Sequence, residues 1–325
     1  MKKISKKKLI GIIASVIVAL LLVVDILGAN YLVSFAVGRS TSGGASVAPP
    51  SVTSDATKDV VSANRKAIND ATKEWFDSLT VNQESIMSDD GLRLAAESVM
   101  AEEESHKWAI VIHGYSGRHD YMWNYGKVFY EAGYNILLPD MRGHGASDGD
   151  YIGMGWPDRK DVLKWINLVI ERDPQAEIIL HGVSMGGGTV MMTSGEDLPS
   201  NVKAIVEDCG YTSVWDIFSD EMKALFNLPD FPLLHTANII CKLRAGYTFT
   251  EASAIKQVAK AKVPMLFLHG GEDNFVHTDM IYKVYEACNT KKDMMVIPNA
   301  GHGEAYYYDP EGYTGKIFEF LGDIL

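Results

Sequence analysis

From Trp108 onward, short apolar runs with no polar alternation recur along the chain, separated by longer segments whose apolar positions repeat every three or four residues. Trp108-Ala-Ile-Val-Ile112, Asn135-Ile-Leu-Leu138, Ile178-Ile-Leu180, Ala204-Ile-Val206, Met265-Leu-Phe-Leu268 and Met294 to Ile297 read as strands covered on both faces. Tyr121 to Ala132, Asp158 to Arg172 and Tyr313 to Leu325 read as helices, and Thr278 as the cap of another that buries Ile281, Val284, Tyr285 and Cys288. In Asp158 to Arg172, Val162, Trp165, Ile166, Val169 and Ile170 share one stripe, and Asp173-Pro174 stops it. Ahead of this alternation, Asn64 to Leu79 reads as a helix and Glu84 to Val99 as two strands around the turn Ser88-Asp-Asp-Gly91. The pattern predicts an α/β fold with a mostly parallel central sheet flanked by helices. Ligand chemistry then belongs at the carboxyl ends of the strands.

One interruption is too long for an ordinary connection. Tyr211 to Lys262 contains several helical patterns and the apolar group Met222, Leu225, Phe226, Leu228, Phe231, Leu233 and Leu234. It reads as a helical cap insertion, at about 211–262, able to cover a site. Trp215, Phe226 and Phe231 are expected to meet Tyr115 and Trp123 there and to set substrate choice.

The amino end has a different pattern. Five lysines within residues 1–8 precede the uncharged stretch Leu9 to Val24, the arrangement of a segment entering a membrane with its amino end left in the cytoplasm. Sixteen residues rise only about 24 Å, so a full span extends through Asp25 toward Val37. Residues 1–39 therefore read as a transmembrane helix serving as signal-anchor. Cleavage near Ser34-Phe-Ala36, giving a secreted protein, is the alternative. Residues 40–63, rich in Ser, Thr, Gly, Ala and Pro, read as a flexible linker, and residues 64–325 as the globular domain on the extracytoplasmic side.

Charge then excludes some partners. Residues 40–325 hold 24 of the 30 Lys and Arg and 41 of the 42 Asp and Glu, a formal −17, which repels nucleic acid and anionic head groups. The three cysteines, Cys209, Cys241 and Cys288, are widely spaced with no CxxC pair, so neither a disulfide framework nor a zinc site is expected.

Candidate chemistry centres on His181-Gly-Val-Ser-Met-Gly-Gly-Gly188, where Gly182 and Gly186 flank Ser184 directly after a strand and before a helix. A nucleophile on such a sharp bend needs small neighbours on both sides, and the bend aims the Met185 N–H at a developing oxyanion. A serine also needs a base, and the base needs an orienting acid. His302, between Gly301 and Gly303 past the last strand, is the candidate base. Asp273, past Met265 to Leu268, is the candidate acid, with Asp208 as fallback. The Tyr115 N–H, in the loop after the first parallel strand, is the second candidate oxyanion donor. His113, His181 and His269 end strands before glycines and read as packed, hydrogen-bonded residues, and His144 as a brace of its own loop. No phosphate-binding glycine motif is present, and His302-Gly-Glu304 lacks further ligands, so no metal or organic cofactor is expected.

The blocks "HGYSGRHDYMW", "LLPDMRGHGASDG", "LHGVSMGGGTV", "EDCGYTS", "EASAIKQV", "PMLFLHGGEDNFV" and "NAGHGEAYYYDPEGY" occur in family order. From about Asn64 the chain thereby resembles the α/β-hydrolase superfamily, and more narrowly the membrane-anchored or exported serine hydrolases of Gram-positive bacteria. The resemblance implies Ser184 as nucleophile, Asp273 as acid, His302 as base, and the Tyr115 and Met185 amides as oxyanion hole. The expected activity is hydrolysis of a small-molecule carboxylic ester. An acyltransferase or a peptidase/amidase with the same machinery, or a non-catalytic binding module, are the alternatives. Acyl length, alcohol identity and oligomeric state are not readable from the sequence.

Overall fold

In the computed structural model, which describes residues 5–39 and 53–325, one eight-stranded sheet organises the chain. Its strands are β1 (Asn82–Met87), β2 (Arg93–Val99), β3 (Lys107–Ile112), β4 (Asn135–Pro139), β5 (Glu177–Val183), β6 (Val202–Asp208), β7 (Met265–Gly270) and β8 (Lys292–Ile297). Their spatial order is β1-β2-β4-β3-β5-β6-β7-β8. β1 and β2 pair antiparallel, as do β2 and β4, whereas β4 through β8 are parallel. The apolar runs of β3, β4, β5 and β7 are buried along nearly their whole length, as expected, whereas β8 lies at the sheet edge and is only partly buried until Ile297, so Met294 to Ile297 is not covered on both faces.

The helices are α1 (Lys6–Val37), α2 (Asp55–Phe76), α3 (Trp123–Glu131), α4 (Asp158–Arg172), α5 (Met185–Ser194), α6 (Val214–Phe226), α7 (Leu233–Ala245), α8 (Ala254–Val258), α9 (Asp279–Ala287), α10 (Ala305–Tyr308) and α11 (Pro310–Gly322). They cover both faces of the sheet over two apolar clusters, one including Ile110, Trp165 and Phe267, the other Val111, Phe129 and Tyr313. Because β3, β5, β6, β7 and β8 run the same way, the loops that follow them all emerge at one edge. That edge carries the candidate site.

Several boundaries differ from expectation. The helix expected from Asn64 begins at Asp55, where Ser54 accepts from the Thr57 amide; residues 53–63 are therefore ordered and mostly helical, while 40–52 lie outside the described residues. The small polar residues that looked like linker include an N-cap and an amphipathic first turn. Tyr121 belongs to a 3-10 turn, His119–Met122, that precedes α3. Thr278 does not cap α9 with its side chain; its hydroxyl donates to the Gly270 carbonyl. α11 starts earlier than Tyr313, at Pro310, with Asp309 accepting from the Gly312 amide.

The cap is built from α6, α7 and α8, closed at its base by a bridge between Ser213 and Ser253. It is tied to the domain by the Tyr247 hydroxyl, which donates to the Ile152 carbonyl at 2.8 Å. The carboxyl-terminal part of α1 runs beside α7. Ala29, Val33 and Val37 are fully buried there, and each valine contributes about 1.5–3 kcal/mol of burial. Polar contacts fix the register: Thr236 Oγ1 donates to Asp25 Oδ2 at 2.5 Å, and the Arg244 guanidinium donates to Asn30 Oδ1 at 2.8 Å and to Ser34 Oγ at 2.9 Å. Thus α1 is apolar and exposed all round in its first part and packed as a domain helix in its last part.

A buried ion network stiffens the loop after β4. Arg142 binds Asp161 of α4 through two N–H groups, at 2.8 and 2.9 Å, and Asp90 at 2.8 Å. Removing the guanidinium strands the Asp161 and Asp158 carboxyls in the interior. Arg142→Met is expected to cost about 3–5 kcal/mol of stability, read as a lower urea midpoint for the detergent-solubilised chain; a loss under ~1 kcal/mol would show that the network is not what holds this loop.

Candidate active site

Ser184 sits between β5 and α5 with φ 58° and ψ −117°, a conformation L-residues adopt only under constraint. The constraint is visible in its neighbours. A Cβ on Gly182 would lie 2.2 Å from the Gly186 carbonyl oxygen, and one on Gly186 would lie 2.1 Å from that of Ile112. Both obstacles are backbone, so neither side chain can be accommodated by a rotamer change. The Ser184 amide donates to the Asp208 carbonyl at 2.8 Å, which pins the bend to β6.

The structure brings the three distant side chains together. His302 Nε2 lies 2.8 Å from Ser184 Oγ, and His302 Nδ1 lies 2.7 Å from Asp273 Oδ2. Asp273 is buried, which alone would raise its pKa; the His302 and His269 rings outweigh burial and hold it well below the ordinary carboxylate range. The ionised carboxylate can only accept, so His302 carries its hydrogen on Nδ1 and offers the Nε2 lone pair to the serine hydroxyl. Burial opposes charging of His302, but the Asp273 carboxylate more than compensates, and its pKa is raised above 6.5. The other carboxylate oxygen, Oδ1, accepts from the Phe275 and Val276 amides, each at 3.0 Å. Glu304 Oε2 accepts from the Gly301 amide at 2.9 Å and so shapes the loop that presents His302.

The fallback acid is elsewhere. Asp208 is fully buried at the end of β6, accepts from the Tyr313 hydroxyl at 2.9 Å, and has its pKa pushed up to about 6 by burial. His113 and His144 brace loops as expected: the Met141 amide donates to His113 Nε2 at 3.0 Å, and His144 Nδ1 bonds the Arg142 carbonyl at 3.0 Å. His181 packs beside Tyr125 and Tyr313. His269 does more than pack. Its Nε2 lies 2.9 Å from the Val276 carbonyl and 3.2 Å from Asp273 Oδ2, giving the carboxylate a second ring N–H.

Met185 opens α5, so its N–H is one of the helix's unpaired donors at the positive end of the dipole. Gly114 packs against Ser184, its Cβ position 3.7 Å from Oγ, which brings the loop carrying Tyr115 alongside the hydroxyl. The Tyr115 hydroxyl donates to the Ala36 carbonyl of α1 at 3.1 Å. The end of the N-terminal helix is thereby bonded to the loop beside the serine, a contact that composition and spacing gave no reason to expect.

Above Ser184 lies an apolar cleft. Met222, Leu225, Phe226 and Leu234 of the cap line it as expected, and Leu32, Phe35 and Ala36 of α1 form a wall of it. Leu228, Phe231 and Leu233 do not: Phe231 is 72% exposed. Trp215 turns to His235 instead, and Trp123 packs with Trp75 and Phe76 on the other side of the edge, so neither meets the cleft. The cleft contains one carboxyl that the sequence pattern did not single out, Glu221 of α6, whose pKa burial and then Asp220 push up to about 7.

Cys209 Sγ, an Asp273 oxygen and a His302 nitrogen lie within 4.8 Å of one another, a spacing that metals use. The donors do not fit one. Burial and Asp208 raise the Cys209 thiol well above its usual range, so it remains protonated, and Asp273 and His302 are already bonded to each other. The three cysteines are free and buried.

Residues 108–231 match the family model described as the α/β hydrolase fold. The chain has the α/β-hydrolase fold. Among curated proteins, the uncharacterized protein YqkD of Bacillus subtilis (strain 168) is 26% identical over 226 residues, 69% of this chain and 74% of that protein. Protein bem46 of Schizosaccharomyces pombe is 23% identical over 244 residues, 74% of each chain. Among solved structures, the esterase Pf2001 of Pyrococcus furiosus superposes with TM-score 0.62 at 22% identity, covering 76% of this chain and 91% of that one. The acylaminoacyl peptidase of Pyrococcus horikoshii gives TM-score 0.59 at 17% identity, over 79% of this chain and 43% of that one.

The glycine beside the bend supplies a local test. Gly186→Ala places a methyl group against the Ile112 carbonyl and is expected to abolish labelling of Ser184 by a fluorophosphonate, with any folded fraction melting at lower temperature. Labelling at the wild-type rate would show that the bend does not require glycine.

Proposed function

We propose that this chain is a serine hydrolase of carboxylic esters, with Ser184 as nucleophile, His302 as general base and acid, Asp273 as the orienting acid, and the Tyr115 and Met185 amides as oxyanion hole. The observation that carries the reading is the continuous hydrogen-bonded line from Ser184 Oγ through His302 to Asp273 at the floor of an apolar cleft. Ser184 Oγ attacks the acyl carbon while its proton passes to His302 Nε2. The carbonyl π electrons move onto oxygen, where the two amides receive the charge. Collapse breaks the bond to the alkoxy oxygen, which takes the proton from Nε2 and leaves as the alcohol. Water then gives a proton to Nε2, its hydroxide attacks the acyl carbon, and Oγ leaves with that proton as the acid is released. Asp273 stays ionised throughout and stabilises the imidazolium. An ester suits the cleft better than a peptide, because the apolar lining offers a polypeptide backbone few partners.

Packing supports a retained N-terminal helix. We read α1 as an uncleaved anchor, with the hydrolase domain on the extracytoplasmic side: cutting after Ala36 would remove the buried Ala29 and Val33 and the carbonyl that Tyr115 binds.

Ser184→Ala is expected to lower ester kcat by ~10⁴–10⁶ with the fold intact, measured on a panel of chromogenic esters with candidate alcohol and thiol acceptors. Turnover retained in that variant sinks the assignment. Transfer to an acceptor outpacing hydrolysis would make the chain an acyltransferase.

The pH profile tests the base. Protonated His302 cannot take the serine proton, and its pKa is raised, so kcat/KM should fall as pH drops through an apparent pKa above 6.5. Asp273→Asn should move that limb to lower pH and reduce kcat about 10⁴-fold; a limb that stays in place would detach Asp273 from His302.

A further inference from the structure

The last part of α1 does two things that an anchor alone does not require. Leu32, Phe35 and Ala36 are part of the cleft wall, and Tyr115 beside the candidate nucleophile is bonded to its Ala36 carbonyl. Phe35 and Phe226 meet edge to face across the opening, and both are partly exposed, at 38% and 43%, as is Leu225 at 40%. These three residues line the cleft and face outward together, so they are its rim.

From that rim an apolar stripe leads back along α1. Phe35, Tyr31, Leu27, Val24 and Leu20 follow one another at spacings of three or four, which puts them on one helical face. Tyr31, Leu27, Val24 and Leu20 are 62%, 64%, 66% and 59% exposed, so α7 and the rest of the cap leave this face open. Its lower end lies inside the uncharged stretch Leu9 to Val24, long and apolar enough to enter a bilayer. The rise from Val24 to Phe35 is about 16 Å. Along that length the open face carries no charged residue, because Asp25, Asn30 and Ser34 point instead to Thr236 and Arg244 of α7.

We propose that this stripe is the entry path for substrate, and that the substrate class is a long-chain acyl ester resident in the membrane that α1 crosses. The inference rests on the ester-hydrolase reading and adds to it where the acyl chain comes from. The chain leaves the outer leaflet along Val24, Leu27 and Tyr31, passes between Phe35 and Phe226, and comes to lie against Leu32 with its carbonyl at Ser184. An acyl chain delivered this way stays against apolar surface and is not carried through water. Partner protein helices are a poorer occupant for the stripe, since it ends at the mouth of a cleft and not on a closed surface.

The test uses the full chain reconstituted in phosphatidylcholine vesicles, with two substrates: a dissolved butyrate ester and a fluorogenic long-chain diacylglycerol embedded in the same vesicles. Tyr31→Asp interrupts the stripe at a residue outside the cleft lining that stacks on Phe35 of the rim, Tyr31→Ser does so more mildly, and butyrate turnover reports any effect passed on to the cleft itself. Fluorophosphonate labelling of Ser184 reports how much of each variant is folded. The expected result is that the ratio of embedded-ester to butyrate turnover, per labelled enzyme, falls at least fivefold in Tyr31→Asp and by a smaller factor in Tyr31→Ser. An unchanged ratio in both variants overturns the entry path while butyrate turnover keeps the esterase reading standing. Butyrate turnover in the wild type with none of the embedded ester also overturns it. Absence of Ser184-dependent turnover on every ester overturns both.

Discussion

The hydrogen bond between Asp273 and His302 is the constraint on which the site depends. It lies where water does not compete, so the carboxylate must find all its partners in protein: the His302 ring, the Phe275 and Val276 amides, and His269. Those partners keep it charged, and a charged Asp273 decides which nitrogen of His302 bears hydrogen. Only that tautomer leaves Nε2 free to accept from Ser184. Every chemical property assigned to the serine passes through this one tautomer. The parallel order of β5 to β8 supplies the other half, since it delivers the loops bearing Ser184, Asp273 and His302 to a single edge from positions 118 and 29 residues apart in the chain.

Much of this was legible because local chemistry demanded it. Strands buried on both faces leave continuous apolar runs, and β3, β5 and β7 could be read from theirs. The bend at Ser184 requires absent side chains at 182 and 186, so the glycines announced it. Asp273 and His302 were singled out from strand ends and small neighbours, and they lie within hydrogen-bond distance of each other. Asp208 satisfied the same local criteria, and only three dimensions separate them: Tyr313, over a hundred residues away in sequence, occupies Asp208, while His302 reaches Asp273.

What escaped the sequence shares a physical cause. The start of α2, the second partner of Asp273 and the wall formed by α1 all depend on contacts between segments far apart in the chain, which periodicity does not encode. His269 could be recognised as a packed histidine but not as one packed against Asp273. Residues 25–37 resemble the tail of a membrane span because they are apolar. Their apolarity serves two environments at once, the buried face of Ala29, Val33 and Val37 and the open face of Leu27, Tyr31 and Phe35. Composition records the sum of the two and not their division.

That division has a consequence for how substrate choice arises in this chain. In a hydrolase whose cleft is walled only by its cap, the cap helices alone define what fits. Here one wall is the continuation of the long apolar helix α1, held by Thr236 and Arg244 from the cap side and by Tyr115 from the side of Ser184. A displacement of α1 against α7 therefore acts on the width of the cleft at Leu32 and on the loop that carries Tyr115. α1, the cap and the loop bearing Tyr115 are bonded to one another, so a change at one of them reaches the other two. A boundary drawn after α1, natural as it is from composition, cuts through the apolar cleft.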